Sequence, residues 1–494
     1  MKTSPNTSSI PNRSRRTFMT SSALAVAGAV VTAGESFASR TGADPSVRPF
    51  FTGVPGKTII GCYSSADQIV NQPKFIDALQ KKLGVNALIV GSSIKMPDWL
   101  KSMNPLGPKT FMHVGPTDDD SLLVKAIEET HRRGMDFWLY FSGHHYGEES
   151  RPIMGETFEG IKFIDLPPIP YAYAQSEYTA CFSKPAVRSW ETAVFGYAAK
   201  TYDVDSLYVS HYRYATPSFW TNLFGCACPD CRKAAERMGY DFDAMARSMT
   251  GLGSRLERLD RTTVERAAKY SMTFTDFLTL LGENNGALDW LVFRAKVTGE
   301  GLRRIHDAVH TETNHRSGFV TDTHCTTMSL LIGHNHEEFI AGASDALHPL
   351  TWIDWQYLGV VVAWAGQLCR WVPGLDESSA LRLVLSLFGW DHLGLPDKRI
   401  ADYAMQTTPP ASASGDTAMK FYSALGPERL VALLTHEWTK MAAMNRGRIP
   451  AHPVIKGFEW PEKVCRELID RTRDIGLSGY IFQRTEVFID PSKL

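Results

Sequence analysis

The sequence predicts an α/β fold, a (β/α)8 TIM barrel with long insertions on its catalytic face. Short apolar runs alternate with helical patterns from Lys57 onward, which is the rhythm of strand–helix units that build a parallel sheet. Eight such runs can be counted, and eight is the number of strands in this barrel. No G-x-G-x-x-G follows the first run, so the rival fold, a doubly wound dinucleotide-binding sheet, has no support.

Each apolar run has the length of a typical strand, and we expect each to form one strand of the barrel. The runs occupy residues 58–63, 87–91, 137–141, 206–209, 318–321, 346–353, 453–458 and 479–482. Helical patterns separate them, and three of these predict helices over residues 72–83, 121–133 and 184–200. The alternation continues to the eighth run, which favours one barrel over two smaller domains.

Three stretches are longer than ordinary connections, at residues 144–180, 215–288 and 356–451. Long insertions on a barrel usually surround its catalytic face, because the carboxyl ends of the strands point there. The Pro/Ala/Ser loop at residues 408–415 is too short to join two domains. We therefore expect residues 57–494 to form a single elaborated barrel, in which 215–288 and 356–451 are insertions.

The N-terminus has the features of an export signal. Residues 14–19 read SRRTFM, a twin-arginine pattern, and an apolar run follows at residues 23–31. Ser36-Phe37-Ala38 offers small residues for cleavage, so we expect residues 1–38 to be a signal peptide and 39–56 a flexible lead. The apolar run is shorter than the ~20 residues that cross a bilayer. These features predict a periplasmic or secreted protein without a stable membrane span.

The composition is that of an ordinary globular protein. The chain has 494 residues, of which 44% are hydrophobic and 21% charged, and its formal net charge is −1. A charge so close to zero gives no basic surface for nucleic acid. Its 12 Trp and 17 Tyr suit a sugar-binding cleft, although a large core also uses such residues.

Four cysteines predict a structural metal site. Cys226, Cys228 and Cys231 form a C-x-C-x-x-C knot, and Cys181 lies far upstream, before a predicted helix. One distant thiolate plus a tight knot suits tetrahedral zinc. The alternative is one or two disulfides, which an exported protein is able to form. Disulfide geometry is demanding for neighbouring knot cysteines, and twin-arginine export carries folded proteins, so both considerations favour zinc.

The stretch from Cys181 to about Val309 resembles the glycoside hydrolase family 42 β-galactosidases and related glycosidase-like barrels. The shared pattern is a cysteine, a helix (KPAVRSWETAVFGYAAK), a strand and then the cysteine knot. The resemblance implies a TIM barrel with four cysteine ligands to zinc and a carbohydrate substrate. It also allows a homo-oligomer, because related barrels often associate.

Glycosidases use two carboxylic acids that flank the scissile bond, and a barrel presents them at strand ends. The resemblance implies a general acid at the end of the fourth strand, but His211 and Tyr212 stand there instead. It implies a nucleophile on the seventh strand, where HPVIKGFEWPEK offers Glu459, with capping of the next helix as the alternative. We predict Asp322, with His324 beside it, as the acid. A buried hydrogen-bonding role is the alternative for Asp322.

Glu486 is a third candidate acid, and an ion pair with Arg484 or Arg213 is its alternative role. Other polar and aromatic residues follow the predicted strands and are candidates for substrate binding. They are His144, His145, His211, Arg213, His324, Asp354, Trp355 and Trp460.

The sequence is also compatible with two other functions. The first is a metal-dependent hydrolase or isomerase, since imidazoles and a carboxylate suit a divalent metal. Its ligands would come from His144, His145, His211, Asp322, His324 and His348. The second is a sugar-binding barrel without catalysis, which would explain the missing acid of the fourth strand.

Overall fold

The computed structural model describes residues 58–106, 115–143, 150–166, 179–216, 223–282, 285–403 and 425–489, with the backbone alone for residues 354–356. Eight parallel strands form one sheet that closes into a barrel, so the predicted fold class is confirmed. The strands are β1 (Ile59–Ser64), β2 (Ala87–Gly91), β3 (Asp136–Ser142), β4 (Ser206–Ser210), β5 (Gly318–Thr323), β6 (Leu347–Pro349), β7 (Val454–Ile455) and β8 (Gly479–Phe482).

The barrel is closed by two kinds of contact. β1 pairs in parallel with both β2 and β8, so the first and last strands are neighbours. β6 meets the chain just before β7 through a bridge between Leu347 and Ala451. The Leu347 N–H donates to the Pro450 carbonyl at 2.9 Å, and the His452 N–H donates to the Leu347 carbonyl at 2.8 Å. The sheet order is therefore that of a complete ring.

The sixth and seventh strands are shorter than their apolar runs predict. The run at 346–353 forms a strand only over Leu347–Pro349, and the chain then enters a helical turn at Ile353–Leu358. The run at 453–458 forms a strand over Val454–Ile455 and then turns, with the Gly457 N–H donating to the Ile455 carbonyl at 3.1 Å. Both strands give way to turns at the carboxyl face of the barrel.

Helices fill the connections, and the three helices predicted above are all present. The helices are α1 (Ala66–Asn71), α2 (Pro73–Leu83), α3 (Asp98–Met103), α4 (Ser121–Arg132), α5 (Pro185–Thr201), α6 (Pro229–Arg237), α7 (Phe242–Leu256), α8 (Arg261–Lys269), α9 (Phe274–Leu280), α10 (Asn285–Thr313), α11 (Gly359–Trp371), α12 (Glu377–Leu387), α13 (Gly426–Asn445) and α14 (Glu462–Ile475). A short parallel pair, Ile94–Lys95 with Pro116–Thr117, lies outside the barrel sheet. The insertion at 215–288 contributes α6 to α9.

Local sequence explains where several helices begin. Ser65 caps α1 in a capping box with Gln68, and α2 and α5 begin at a proline, whose missing N–H is not needed there. The long helix α10 packs against α5 on the outside of the barrel. Among the helices of the described ranges, none is both long enough and apolar enough to cross a bilayer.

Alternate residues of each strand fill the barrel interior, as a pleated sheet requires. A central apolar cluster joins inward side chains of all eight strands or their flanks: Ile59, Ala87, Ile89, Trp138, Tyr208, Val320, Ala346, Leu350, Val454 and Ile481. The side chains with the opposite orientation pack against the surrounding helices. Side chains on the inward face of a strand recur every second residue. The next inward residue after this cluster therefore lies nearer the carboxyl face of the barrel.

The His348 side chain is buried in the barrel interior. Its ring stacks on Trp138 with centroids 5.3 Å apart and is fully buried. Both ring nitrogens lack a hydrogen-bond partner among the described residues. Burial, and to a smaller extent the neighbouring His452, lowers the pKa of His348 well below its usual value, so this imidazole is neutral. His348 pairs in register with Asp322, and among the described side chains it does not belong to a group of metal-binding ligands.

A buried carboxyl outside the barrel predicts a pH effect on stability. The Tyr212 hydroxyl donates to Glu191 on α5 at 2.8 Å. Burial raises the pKa of Glu191 to about 8, above its value in an unfolded chain. The stability that the Glu191 proton contributes is fully present below the pKa of the unfolded chain and is lost as pH rises through the folded pKa. Between these two pKa values, the free energy of unfolding of wild type should fall by up to ~1.4 kcal/mol per pH unit. Glu191→Gln, which mimics the protonated form, should not show this fall.

The measurement is denaturant unfolding of both proteins at pH 5 and pH 8.5. The surface variant Glu312→Gln serves as the control, because its carboxyl lies in a partly exposed ion pair with Lys200. If the difference in free energy of unfolding between wild type and Glu191→Gln is the same at pH 5 and at pH 8.5, Glu191 does not carry the proton.

Candidate functional site

The carboxyl face of the barrel carries a layer of polar and aromatic side chains. The inward residues at the strand ends are Tyr63, Tyr140, Ser210, Asp322 and Lys456. Tyr63 lies four residues beyond the interior residue Ile59, and each of the others lies two residues beyond an interior residue of its own strand. All but Tyr63 and Tyr140 are nearly or fully buried. This is the face on which TIM barrels carry their active sites.

Asp322 lies at the centre of this layer and is fully buried. The His211 backbone N–H lies 3.0 and 2.9 Å from its two carboxylate oxygens. The Ser210 hydroxyl donates to the same carboxylate. His211 has a φ of 60°, a left-handed conformation that is uncommon for a residue with a side chain. This local strain turns its N–H toward Asp322.

An imidazole is connected to Asp322 through the serine. His211 Nδ1 lies 2.5 Å from Ser210 Oγ and 3.8 Å from Asp322 Oδ2. The His211 imidazole, the Ser210 hydroxyl and the Asp322 carboxylate thus form a hydrogen-bonded chain. A proton is able to move along this chain between the nearly buried ring and the fully buried acid. Sequence reasoning paired Asp322 with His324 instead.

His324 has different contacts from those expected. Its Nδ1 accepts the Cys325 N–H at 2.9 Å, and its ring stacks near Tyr357 with centroids 6.3 Å apart. His324 is nearly fully buried. The histidine that is hydrogen-bonded to the serine of the Asp322 site is therefore His211 and not His324.

Three tyrosines stand beside Asp322. The Tyr63 hydroxyl donates to the Tyr208 hydroxyl at 3.0 Å, and the ring of Tyr140 meets that of Tyr208 edge-on with centroids 5.2 Å apart. Burial raises the pKa of all three phenols, and the charge of Asp322 raises it further. The phenols are therefore neutral, and they offer aromatic surface and hydroxyl groups around the carboxylate.

A second carboxylate, Glu459, follows β7. Lys456 Nζ donates to its Oε2 at 2.7 Å, and both side chains are largely buried. The same ammonium lies 4.3 Å from the centre of the Trp352 ring, a cation–π contact. The residue at the N-cap of α14 is Pro461, so Glu459 is not the cap. Sequence reasoning missed Lys456, although a lysine within the apolar run HPVIKGF was the available signal.

The remaining predicted residues have mixed positions. Glu486 pairs with Arg484 through an Arg Nε contact of 2.5 Å, which is the structural role that the sequence left open. Arg213 is buried and donates from Nη1 to the Tyr214 carbonyl at 3.1 Å. Trp460 is fully buried in the outer core, so its predicted contact with substrate is not supported.

The side chains of four predicted substrate-binding residues are not among those that the structure describes. His144 and His145 lie outside the described residues, and Asp354 and Trp355 are described by their backbone alone, within the turn Ile353–Leu358. Among the side chains that are described, no cluster of metal-binding groups stands at the strand ends. The metal-dependent enzyme predicted as one alternative has no support from these residues.

The four predicted cysteines come together. Cys181 Sγ lies 3.4 Å from Cys228 Sγ and 3.5 Å from Cys231 Sγ, and the ligand atoms of all four lie within 4.8 Å of one another. Sulfurs that bind one tetrahedral zinc at ~2.3 Å are about 3.8 Å apart. All four are buried free thiols. The arrangement is compatible with a zinc site that ties the segment before α5 to the start of α6.

The electrostatics of this cluster also suit a cation. Hydrogen bonds from the neighbouring thiols, Cys181 first, hold the pKa of Cys228 well below its usual value, whereas hydrogen bonds within the same cluster raise the pKa values of Cys181 and Cys231. Lys184 interacts electrostatically with the cluster, and its Nζ lies 3.5 Å from Asp230. The sulfur atoms present the soft ligands that zinc prefers.

No protein-family model and no curated protein sequence matches this chain. Solved structures resemble it at low identity. The catalytic domain of a β-amylase from Paenibacillus polymyxa is 11% identical, with 88% of this chain and 94% of that chain covered and a TM-score of 0.42. A β-galactosidase from the psychrophilic Marinomonas ef1 is 10% identical, with 86% and 54% covered and a TM-score of 0.44.

An endo-β-1,4-mannanase from Thermotoga petrophila is 7% identical, with 87% of this chain and 68% of that chain covered and a TM-score of 0.36. The chain spans about half the length of the Marinomonas β-galactosidase. The names of these similar structures are those of glycoside hydrolases.

Proposed function

We propose that the protein acts on a carbohydrate as a glycoside hydrolase, with Glu459 as nucleophile or base and Asp322 as acid. One observation carries the proposal: two carboxylates, each held by defined donors, stand at the carboxyl ends of β5 and β7. Two carboxylates on one face of a barrel are the groups that glycoside hydrolysis requires. β5 and β7 are separated by one strand of the ring, and neighbouring strands lie ~4.8 Å apart, so the carboxyl ends of these two strands belong to the same face of the barrel.

The surrounding side chains support a sugar ligand. Trp352, Tyr63 and Tyr140 are half-buried at this face, and aromatic faces with polar edges suit the apolar sides and hydroxyl groups of sugar rings. In the retaining form of this mechanism, protonated Asp322 gives its proton to the leaving oxygen while Glu459 attacks the anomeric carbon, and Asp322 then removes a proton from the water that hydrolyses the glycosyl–enzyme bond. In the inverting form, Glu459 removes a proton from the attacking water and later releases it to solvent, and Asp322 is reprotonated from solvent through His211 and the Ser210 hydroxyl.

The contacts of the two carboxylates also favour a second candidate function, sugar binding without catalysis. Three donor contacts stabilise the ionised form of Asp322, and Glu459 already has a cationic partner. In a sugar-binding barrel without catalysis, Asp322 and Glu459 would hold neighbouring groups in place, and they would make these same contacts. Turnover, and not affinity, distinguishes the two functions.

The test is hydrolysis of a panel of nitrophenyl glycosides and oligosaccharides, measured alongside sugar binding by calorimetry. Asp322→Asn is expected to lower kcat for the best substrate ~10²–10⁴-fold, which is the usual contribution of a general acid. The exposed carboxyl variant Glu337→Gln should retain full activity, since its partner is Arg448 at the surface. Binding without turnover by wild type would establish the second function, and neither binding nor turnover would contradict both.

Two further proposals concern the whole chain. The four clustered cysteines hold a structural zinc ion, as in the family 42 pattern that this stretch resembles. Residues 1–38 direct export through the twin-arginine route, which delivers folded protein to the periplasm or the medium, and are then removed.

A further inference from the structure

A second group of metal-binding side chains lies at the opposite end of the barrel from the candidate active site. His306 and His310 are near the carboxyl end of α10, the helix that leads into β5, and are four residues apart on one helix face. Asp345 lies just before β6. All three therefore gather where strands β5 and β6 begin.

We propose that His306, His310 and Asp345 bind a divalent transition metal ion. One ligand atom from each residue lies within 4.8 Å of the others. His310 Nε2 lies 2.9 Å from Asp345 Oδ2, and His306 Nε2 lies 3.3 Å from Asp345 Oδ1. Ligands that surround one ion at ~2.0–2.2 Å are about 3–3.6 Å apart, so only small side-chain shifts are needed to admit it.

The outer contacts of the two imidazoles suit metal binding. When Nε2 binds a metal, Nδ1 carries the proton and needs an acceptor. His306 Nδ1 lies 3.3 Å from Asp307 Oδ1, and His310 Nδ1 lies 3.1 Å from His315 Nδ1. Each ring therefore has an acceptor on the side that faces away from the shared centre.

Asp345 is held in position from the strand side. Its Oδ2 accepts the Phe319 N–H at 2.9 Å, which fixes the carboxylate against β5.

The ligand set indicates the class of ion. Two imidazoles and one carboxylate suit Zn²⁺, Co²⁺ or Ni²⁺, whereas Mg²⁺ and Ca²⁺ prefer oxygen ligands alone. The His306 side chain retains 17% of its exposure, whereas His310 and Asp345 are more buried. An ion has access from the side of His306, where water completes its coordination.

The experiment is a Co²⁺ titration of the full chain with its cysteine cluster already saturated by Zn²⁺. Wild type should take up one further equivalent, with the weak visible bands of nitrogen and oxygen ligation and no thiolate charge-transfer band. His306→Gln and Asp345→Asn should each weaken this uptake at least ~10-fold, and Asp307→Asn should weaken it less. Asn at position 345 retains an acceptor for the Phe319 N–H, so the fold should persist.

His392→Gln is the matched control, because His392 is an exposed histidine near His436 and away from α10. It should bind Co²⁺ as wild type does. Added Co²⁺ should also raise the unfolding temperature of wild type and the control but not of His306→Gln. No uptake beyond the cysteine cluster in wild type, or equal uptake by wild type and His306→Gln, would overturn the proposal and leave a hydrogen-bonded His–Asp network.

Discussion

Replacement of Glu459 by glutamine is expected to lower kcat on the sugar substrate by ~10³-fold or more. Glutamine has nearly the same shape but is neither a nucleophile nor a base. The substitution also removes the counter-charge of Lys456, whose side chain is 1% exposed. Because the amide oxygen still accepts the lysine N–H, we expect a stability loss of about 1–3 kcal/mol and a folded protein.

A double variant separates chemistry from the ion pair. Lys456→Met removes the buried cation, so Lys456→Met/Glu459→Gln should regain most of the stability lost by Glu459→Gln, since a neutral pair leaves no uncompensated charge. It should not regain turnover. The measurements are kcat and KM with the best glycoside and thermal unfolding of the same preparations. If Glu459→Gln retains turnover, or if the double variant recovers it, Glu459 has only a structural role.

Substitution of Cys228 by serine is expected to remove zinc and to destabilise the barrel. Cys228 Sγ contacts two other sulfurs of the cluster, at 3.4 Å from Cys181 Sγ and 3.8 Å from Cys231 Sγ. A hydroxyl is a poor zinc ligand, and the binding free energy of a structural zinc is also folding free energy. A loss on the order of 5 kcal/mol should lower the unfolding midpoint of a barrel of this size by about 5 °C.

Metal analysis and thermal unfolding measure this effect. Cys369→Ser is the matched control, because Cys369 is a half-buried thiol on α11 outside the cluster. Wild type and the control should contain one zinc per chain at the cysteine cluster, and Cys228→Ser should contain none there. Purified wild type with no zinc and with disulfides among these cysteines would refute the metal site.

The barrel was predictable from the sequence because its strands are buried on both faces. Such strands appear as continuous apolar runs, and all eight runs contain a strand of the sheet. The close approach of Cys181 to the knot was also predictable, because one distant cysteine and a C-x-C-x-x-C knot together supply four ligands for one zinc ion. Strand ends were less predictable at β6 and β7, where proline and turn formation shorten the ladder.

The organisation of the site was predictable only in part. The sequence places Asp322 and Glu459 at strand ends, but it does not show that His211 adopts a left-handed conformation and directs its N–H to Asp322. Nor does it show that Lys456 is buried beside Glu459, since lysine is usually exposed. Both arrangements depend on which residues meet across the ring, which a local pattern does not determine.

The pairing of β1 with β8 also affects how the protein is made. Residues 59–62 find their partners at 479–482, so the edge of the first strand stays open until nearly all of the described chain has left the ribosome. An unpaired edge is a site for aggregation, and such distant pairing forms slowly. Newly synthesised chains therefore depend on protection of that edge until translation is almost complete, and shortening the gene before β8 would leave an open sheet instead of a smaller barrel.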